Sequence, residues 1–509
     1  MEVSGMEFLV QQVWGGPKSF ADFRFAELNS VAEMVGAASP VIDEKNVDVG
    51  SPFVMARIDS IEMATEVAKR CVMIKNIHEV WGNGDSLEAA LKKAKTYVEE
   101  NKAHVDRFMH NETFAVRVNG FGHTYSVQEQ RKVMEPFLQL GWTAKVNLKN
   151  PKNIFWVFTD HGHQEGHFKT AGNSPSKVWF CRQISEGMRS MGVLPRFSLK
   201  TRPFIGPTST CAELAFLMAN QGQVRNGSLV FDPFVGTASL LVASSYFGAF
   251  CVGMDRDYCL LHSKVHKPKA RQKDLFVNFK YYGLGKPEIV CGDNAFPPWV
   301  QREMVDAIIC DPPYGVRAGA RRTGSRKAHQ GKKANDVDIW KYGKKHVPSS
   351  IPYPVEDVMA DLLDVAAEYL VLGGRLVYLL PTVGDFDSSK LPTHPCLSLI
   401  AHSSQALTGG FDRRCITMKK SRKWEPSLKA TRRDKSSEPA PCYADVAAHV
   451  FRKQPSASTS TKGEERKKQY EKKEDIDPRE KREKSSEIYK VNNSEGLPLT
   501  NPSKKMRQS

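Results

Sequence analysis

Val305-Asp306-Ala307-Ile308-Ile309-Cys310-Asp311-Pro312-Pro313-Tyr314 is the stretch on which the fold of this chain turns. The run up to Cys310 is apolar but for one acid, the pattern of a strand buried inside a parallel sheet. Two prolines follow soon after it, and neither can continue a ladder. The chain therefore leaves the sheet at the strand's carboxyl end and presents an acid and an aromatic there, Asp311 and Tyr314. Open α/β sheets hold their ligands at that edge.

Working outward, strands and helices alternate from residue 229 to about 381. Strands are predicted at 229–231, 250–255, 288–291, 306–310 and 375–380, with helices at 239–247 and 356–370, which makes one α/β, Rossmann-like parallel-sheet domain. The first strand runs into Asp232-Pro233-Phe234-Val235-Gly236-Thr237. A glycine there lets backbone approach a ligand, and the helix N-terminus behind it favours an anionic or polar group. The loop is neither a G-x-G-x-x-G fingerprint nor a P-loop, and taken alone it reads as a tight strand-to-helix turn. Asp255 ends the next strand, where an acid can accept from two ribose hydroxyls. Asp293 follows the third and can accept from an exocyclic adenine amine. Each acid alone is more often a turn or N-cap residue. Together at three successive strand ends they outline a nucleoside-shaped site.

The N-terminal half carries strand patterns at 8–10, 53–58, 71–74, 114–118 and 154–158, and helical spacing at 23–35, 61–68 and 86–99. A basic turn, Lys145-Val146-Asn147-Leu148-Lys149-Asn150-Pro151, precedes the last of these strands and is placed either to meet phosphates or to sit as a solvated loop. His161, His163 and His167 cluster without a further ligand pattern, so no metal is assigned. Residues 200–209 form a turn ahead of a compact helix at 212–221. Arg317 to Lys345 is a long basic loop directly after the proline pair, and loops of that length are functional or disordered.

The 509 residues favour two or three domains, and the net charge of +16 argues for an anionic partner, nucleic acid before membrane. About half of that charge lies after Lys420, where the composition turns to Lys, Glu, Ser and Pro with few large apolar residues, as in a disordered tail. The ten cysteines are scattered, without Cys-x-x-Cys spacing, and read as reduced side chains. No signal peptide or membrane span is indicated, so a soluble cytoplasmic protein is expected, with a nuclear location also open.

The glycine turn, the strand-end acids and Asp311-Pro312-Pro313-Tyr314 together resemble the S-adenosylmethionine-dependent amino-methyltransferases, whose fourth motif is D/N-P-P-Y/F/W. That resemblance implies S-adenosyl-L-methionine as cofactor, held by Asp232, Phe234, Gly236, Thr237, Asp255 and Asp293 with Thr208. It implies catalysis by Asp311, Pro312, Pro313 and Tyr314. Asp311 and the Pro312 carbonyl would accept from an NH2 so that its lone pair faces the methyl group, and Tyr314 would stack on the base.

A closer resemblance, to the tRNA guanine-10 N2-methyltransferase family, rests on 311–325 (DPPYGVRAGARRTGS), on His346-Val347-Pro348, on 356–363, on 204–221 and on Asn278-Phe279-Lys280-Tyr281-Tyr282-Gly283-Leu284. It implies a THUMP-type half that grips tRNA, with Lys145, Lys149, Arg317, Arg321 and Arg322 as RNA contacts. It also implies a small zinc-binding activator protein that pairs with the catalytic sheet. Ala238 stands where that family has a second glycine, which costs nothing if its φ is negative. The same four-residue motif also serves adenine N6 or a protein amide, and a non-catalytic RNA-binding scaffold is a further alternative.

The organisation expected is an auxiliary α/β lobe (1–50), a THUMP-like domain (51–175), a linker with its helix (176–228), the Rossmann-like methyltransferase domain (229–420) and the tail (421–509).

Overall fold

The computed structural model describes residues 6–15, 20–38, 41–42, 47–162, 174–257, 261, 274–313, 320–324, 350–383, 386–407, 411–432 and 443. The chain divides into two compact units, Met1–Val450 and Phe451–Ser509, and every described residue lies in the first.

The N-terminal half is built on a six-stranded sheet. Its strands are β1 (Met6–Gln12), β2 (Phe53–Ile58), β3 (Ile74–Gly84), β4 (Phe114–Phe121), β5 (Asn153–Asp160) and β6 (Lys177–Glu186), in the order β2-β1-β3-β6-β5-β4. All neighbours are antiparallel except β4 and β5. Three helices of this half begin at a side-chain cap. Ser60 accepts from Met63 N at 3.1 Å, Ser86 from Ala89 N at 3.2 Å, and Ser126 and Glu129 form a reciprocal capping box. The helices Arg24–Met34 and Ile61–Arg70 bury their apolar residues against Phe8, Val10, Val54 and Ile77. The helices Leu87–Glu100 and Val127–Leu138 do the same against Trp81, Phe155 and Phe180.

Several expectations are corrected here. Residues 71–73 are not a strand, because the N–H groups of Val72 and Met73 donate to the Glu27 carboxylate and not to a ladder. The true strand runs from Ile74 to Gly84 through a polar stretch, Lys75-Asn76-Ile77-His78-Glu79, that hides its period. The helix Val127–Leu138 and β6 went unpredicted, and β6 draws the start of the expected linker into the first sheet.

The C-terminal half is built on a seven-stranded sheet of order β14-β15-β13-β10-β7-β8-β9. Its members are β7 (Leu229–Asp232), β8 (Phe250–Asp255), β9 (Glu288–Cys291), β10 (Val305–Cys310), β13 (Leu370–Thr382), β14 (Leu397–Ala406) and β15 (Asp412–Lys420); β11 (Arg321–Thr323) and β12 (Ser350–Pro352) form a separate ribbon. The five strands of the expected parallel sheet are parallel, but β15 and β14 are added antiparallel at one edge. Residues 321–323 of the expected basic loop are therefore a strand. The expected tail is ordered at its start. Ala430 N donates to Asp364 at 2.7 Å and Arg432 pairs with Asp361 at 2.6 Å, which docks it on the helix Val355–Tyr369.

One apolar core runs across both halves. Phe20, Phe23, Val72 and Met73 of the first pack in the same cluster as Leu214, Leu217, Val230, Leu241, Ile309 and Leu379 of the second.

Candidate active site

The parallel strands β10, β7, β8 and β9 lie side by side, so their carboxyl ends share one edge of the sheet. Asp311 follows β10, Asp232 ends β7, Asp255 ends β8 and Asp293 stands just past β9. The sheet order makes neighbours of four acids that the sequence separates by up to about eighty positions.

Asp232 is 2% exposed and its Oδ1 accepts from Phe234 N at 3.0 Å, an Asx turn that opens the loop. Burial pushes its carboxyl well above the usual range, and the charges of Asp255 and Asp311 push the same way. Asp255 is also raised, chiefly by burial, against the donors Asp257 N (2.8 Å) and Gly236 N (2.9 Å). Among the described residues, the causes acting on these two acids are burial, backbone donors and other acids. Acids clustered in this way suit a ligand that brings positive charge. Each Asp255 oxygen already holds one N–H and retains lone-pair capacity for hydroxyl donors.

The loop between them is held on both sides. Val235 N donates to Met254 O at 2.9 Å, and a Cβ on Gly253 would come within 2.6 Å of Val235 Cγ2, so β8 needs glycine where the loop crosses it. Gly236 sits at φ +49°. Ala238 sits at φ +60°, the left-handed region, so the negative φ under which an alanine there costs nothing is not met. Phe234 is half-buried against the cluster that contains Phe231 and Met254. Thr237 is buried, with its Oγ1 2.8 Å from Ser209 Oγ and 3.2 Å from Ser239 Oγ. Arg202 donates to Ser239 Oγ at 2.9 Å and to Phe197 O at 3.1 Å. Asn278 holds both the N–H and the carbonyl of Phe204 at 2.9 Å.

The turn before the helix Ala212–Gln221 is thus stitched to the glycine loop through Ser209, whereas Thr208 is exposed. Ser209, Arg202 and Asn278 are the residues sequence reasoning passed over. Arg202 and Ser209 lie in the turn 200–209 and Asn278 opens the 278–284 stretch, but spacing alone does not tell which hydroxyl of Thr208-Ser209 points inward.

Asp293 is 8% exposed, and its oxygens accept from Ala295 N at 3.0 Å and from Thr323 N at 2.5 Å. The β11–β12 ribbon is therefore pinned to this acid. Arg321 is exposed but spends Nε and Nη2 on Ser350 of its own ribbon, each at 2.7 Å. Arg322 lies 5.6 Å from the centroid of the Tyr353 ring. Pro312 is buried, while Asp311 and Pro313 are half-buried. Tyr314 and Arg317 lie outside the described residues, as do His163, His167 and most of the basic loop.

At the far half, Lys145 and Lys149 are exposed on a turn organised by Asn147. The Asn147 Oδ1 accepts from Lys149 N (3.2 Å) and Asn150 N (3.0 Å), and its Nδ2 donates to Asn150 O at 2.9 Å. Val146 and Leu148 on the same turn are 60% and 73% exposed. No group of His, Cys, Asp and Glu with metal-holding geometry occurs among the described residues.

Residues 6–189 match the family described as the Tmrp11 THUMP N-terminal domain, and residues 200–330 match the RMKL-like methyltransferase domain. Fold and site together define a methyltransferase whose Rossmann-like catalytic sheet is preceded by a THUMP-type α/β half. The human tRNA (guanine(10)-N(2))-methyltransferase TRMT11 is 37% identical over 415 residues, 79% of this chain and 87% of the human protein. The protein of that name from Dictyostelium discoideum is 34% identical over 471 residues, 88% of this chain and 90% of its own length. The chain belongs to the tRNA (guanine(10)-N(2))-methyltransferase family. Among solved structures, TrmN from Thermus thermophilus aligns over 81% of this chain and 99% of its own, with 18% identity and a TM-score of 0.37.

Proposed function

We propose that this chain is the catalytic subunit of a tRNA methyltransferase that moves a methyl group from S-adenosyl-L-methionine to the exocyclic N2 of a guanosine, position 10 being the family's site. The observation that carries the proposal is the placement of Asp311-Pro312-Pro313 beside three buried or nearly buried strand-end acids, in a chain of this family. S-adenosylmethionine would supply a methyl group on a sulfonium, a cationic centre of the kind the clustered acids favour. Asp255 would hold the ribose and Asp293 the adenine end, with Gly236 and Thr237 bounding the loop. Asp311 and the Pro312 carbonyl would accept from the guanine amine and hold its nitrogen in line, which is positioning catalysis. Lys145 and Lys149 would meet tRNA phosphates from the THUMP-type half.

An activator subunit of the zinc-binding kind would add to the β9 edge of the sheet. Around that edge Phe250, Tyr281, Phe296 and Val300 are 69%, 61%, 62% and 78% exposed. The opposite edge strand, β14, already receives Asp22 at Ser404 N. Unpaired edges with apolar flanks are templates for strand addition. A cytoplasmic location goes with this reading.

The test is nucleoside analysis of tRNA from cells lacking the protein, complemented with wild-type chain or Asp311→Ala. Loss of N2-methylguanosine restored by wild type alone is expected, with cofactor binding by Asp311→Ala preserved. Unchanged N2-methylguanosine in the deletion would overturn the proposal.

A further inference from the structure

The β11–β12 ribbon is too short to stand alone. It pairs Arg321 with Pro352, Arg322 with Ile351 and Thr323 with Ser350, and it belongs to neither large sheet. Two-stranded ribbons are marginal in water unless another element holds them. Yet one of its amides reaches the cofactor edge. Thr323 N donates to Asp293 Oδ2 at 2.5 Å, while Asp293 Oδ1 accepts from Ala295 N at 3.0 Å. Each oxygen keeps a lone pair for a ligand donor, and these two N–H groups set the direction in which it points.

Tyr353 anchors the ribbon at its other end. Its N–H donates to Ala320 O at 2.9 Å, and the residue is 4% exposed, in the apolar cluster that holds Val358, Met359 and Leu362. Its hydroxyl donates to Asp361 Oδ2 at 2.5 Å, on the helix Val355–Tyr369. Burial and the neighbouring Asp361 charge push this phenol well above its ordinary value, so it remains a donor.

The other Asp361 oxygen meets the strap that follows β15. Arg432 Nη2 donates to Asp361 Oδ1 at 2.6 Å and lies 3.6 Å from Asp364 Oδ2, and its Nη1 lies 3.9 Å from Asp357 Oδ1. Asp357, Asp361 and Asp364 share one face of the helix, where like charges oppose one another, and Arg432 offsets them. The backbone of the strap carries Arg432 to this place. Ala430 N donates to Asp364 Oδ1 at 2.7 Å, Thr431 N to Thr393 O at 2.9 Å and Ser421 N to Cys396 O at 3.0 Å. Ala430 and Tyr443 are buried in the same cluster as Tyr353.

A run of hydrogen bonds thus joins the strap to the cofactor edge, from Arg432 to Asp361, from Asp361 to Tyr353, and through the ribbon to the Thr323 amide on Asp293. Without Arg432 the Asp361 carboxylate is free to turn toward water. The buried Tyr353 hydroxyl then loses its acceptor, and the ribbon its anchor. We propose that Arg432, Asp361 and Tyr353 are positioning residues for the cofactor, holding the ribbon so that the Thr323 N–H aims Asp293 at the adenine end of S-adenosylmethionine. This rests on the cofactor reading above. The strap after residue 420 is then a working part of that site.

The experiment uses the full chain as wild type, Arg432→Ala, Tyr353→Phe and the double variant. Calorimetric titration with S-adenosylhomocysteine gives the affinity, and hydrogen exchange of the peptide spanning 320–324 reports the Thr323 amide. The Arg432 side chain is 48% exposed and phenylalanine keeps the buried ring, so the variants are expected to fold. Each single variant should bind about three- to tenfold more weakly, the size expected for one partly exposed charged contact or one hydrogen bond. The ribbon should also exchange faster with the ligand bound. Because the residues act in series, the double variant should bind no more weakly than the weaker single one. A role confined to overall stability lowers the melting temperature and leaves the affinity and ribbon exchange of the folded chain at wild-type values. Losses below about threefold in both single variants, or losses that multiply in the double, would overturn the inference. A wild-type chain that fails to bind S-adenosylhomocysteine would instead refute the cofactor reading.

Discussion

Replacing Asp255 by asparagine separates the cost to the ligand from the cost to the fold. In the free protein Asp255 accepts from Gly236 N and Asp257 N at 2.9 and 2.8 Å, and its carboxyl is raised chiefly by burial. An asparagine oxygen keeps one of these donors and its NH2 faces the other, a loss of about 1.5–3 kcal/mol for a hydrogen bond to a charged group. Removing a charge held in a poorly solvated place recovers a similar amount, so the melting temperature is expected to stay within a few degrees of wild type. The ligand has no such compensation. If Asp255 holds the ribose as proposed, two hydroxyls lose an anionic acceptor, together about 2–3 kcal/mol, which at 1.4 kcal/mol per decade weakens binding by about 30- to 150-fold.

Calorimetric titration of the full chain with S-adenosylmethionine and S-adenosylhomocysteine measures this directly. Wild-type affinity should also fall as pH drops through the raised pKa of Asp255, and the asparagine variant should lose that dependence. A dissociation constant within about threefold of wild type, with an unchanged melting temperature, would show that Asp255 does not hold the ribose.

Lys145→Ala combined with Lys149→Ala should weaken tRNA binding and reduce the magnitude of the salt slope by about 1.5, because each phosphate contact contributes roughly 0.7–0.9; an unchanged slope would return the turn to a solvated loop. Ala238→Gly relieves about 1–2 kcal/mol of left-handed strain but loses about 0.8 kcal/mol of methyl burial and about 0.4–1 kcal/mol of chain entropy. Urea unfolding should therefore find it within about 1 kcal/mol of wild type, and a loss well beyond about 2 kcal/mol would contradict the strain. His78 is fully buried, with its ring centroid 4.8 Å from that of Phe158, and burial with the Lys75 charge pushes its pKa down to about 3. A depressed base gives stability that is whole above its ordinary value of 6.5 and lost as pH falls toward 3. Denaturant midpoints of His78→Leu should be flatter than wild type over that window, and equal acid slopes would refute the assignment.

The catalytic sheet was legible because its strands are short apolar runs, each closed by a chemically distinct residue. Asp232, Asp255, Asp293 and Asp311 stand out as strand ends in the residue pattern alone. The N-terminal sheet was harder for a physical reason. In β3 the alternation is broken by Asn76, His78 and Glu79, all buried. Glu79 is held by Arg182 at 2.7 Å and by Trp81 at 3.0 Å, partners far away in the chain or hidden by a local bulge. The antiparallel pair β14 and β15 escaped notice because β14 is an exposed edge strand without a clean apolar face. Ala238 escaped because φ is set by how the loop meets β8, which residue type does not reveal. Which of Thr208 and Ser209 reaches the loop is likewise a matter of direction and not of pattern.

The apolar core that Phe20, Phe23, Val72 and Met73 share with Leu214, Leu241 and Leu379 bears on how such a chain can be re-engineered or recombined. A cut at residue 200, between the two matched family regions, looks like a natural joint in sequence. It would strip aromatic and aliphatic side chains from the core that the methyltransferase half shares and leave that surface wet. Chimeras that exchange the RNA-holding half between relatives should stay soluble only when the helices Arg24–Met34 and Ile61–Arg70 travel with the catalytic partner they grew against. The exchangeable unit is then the pair of halves together.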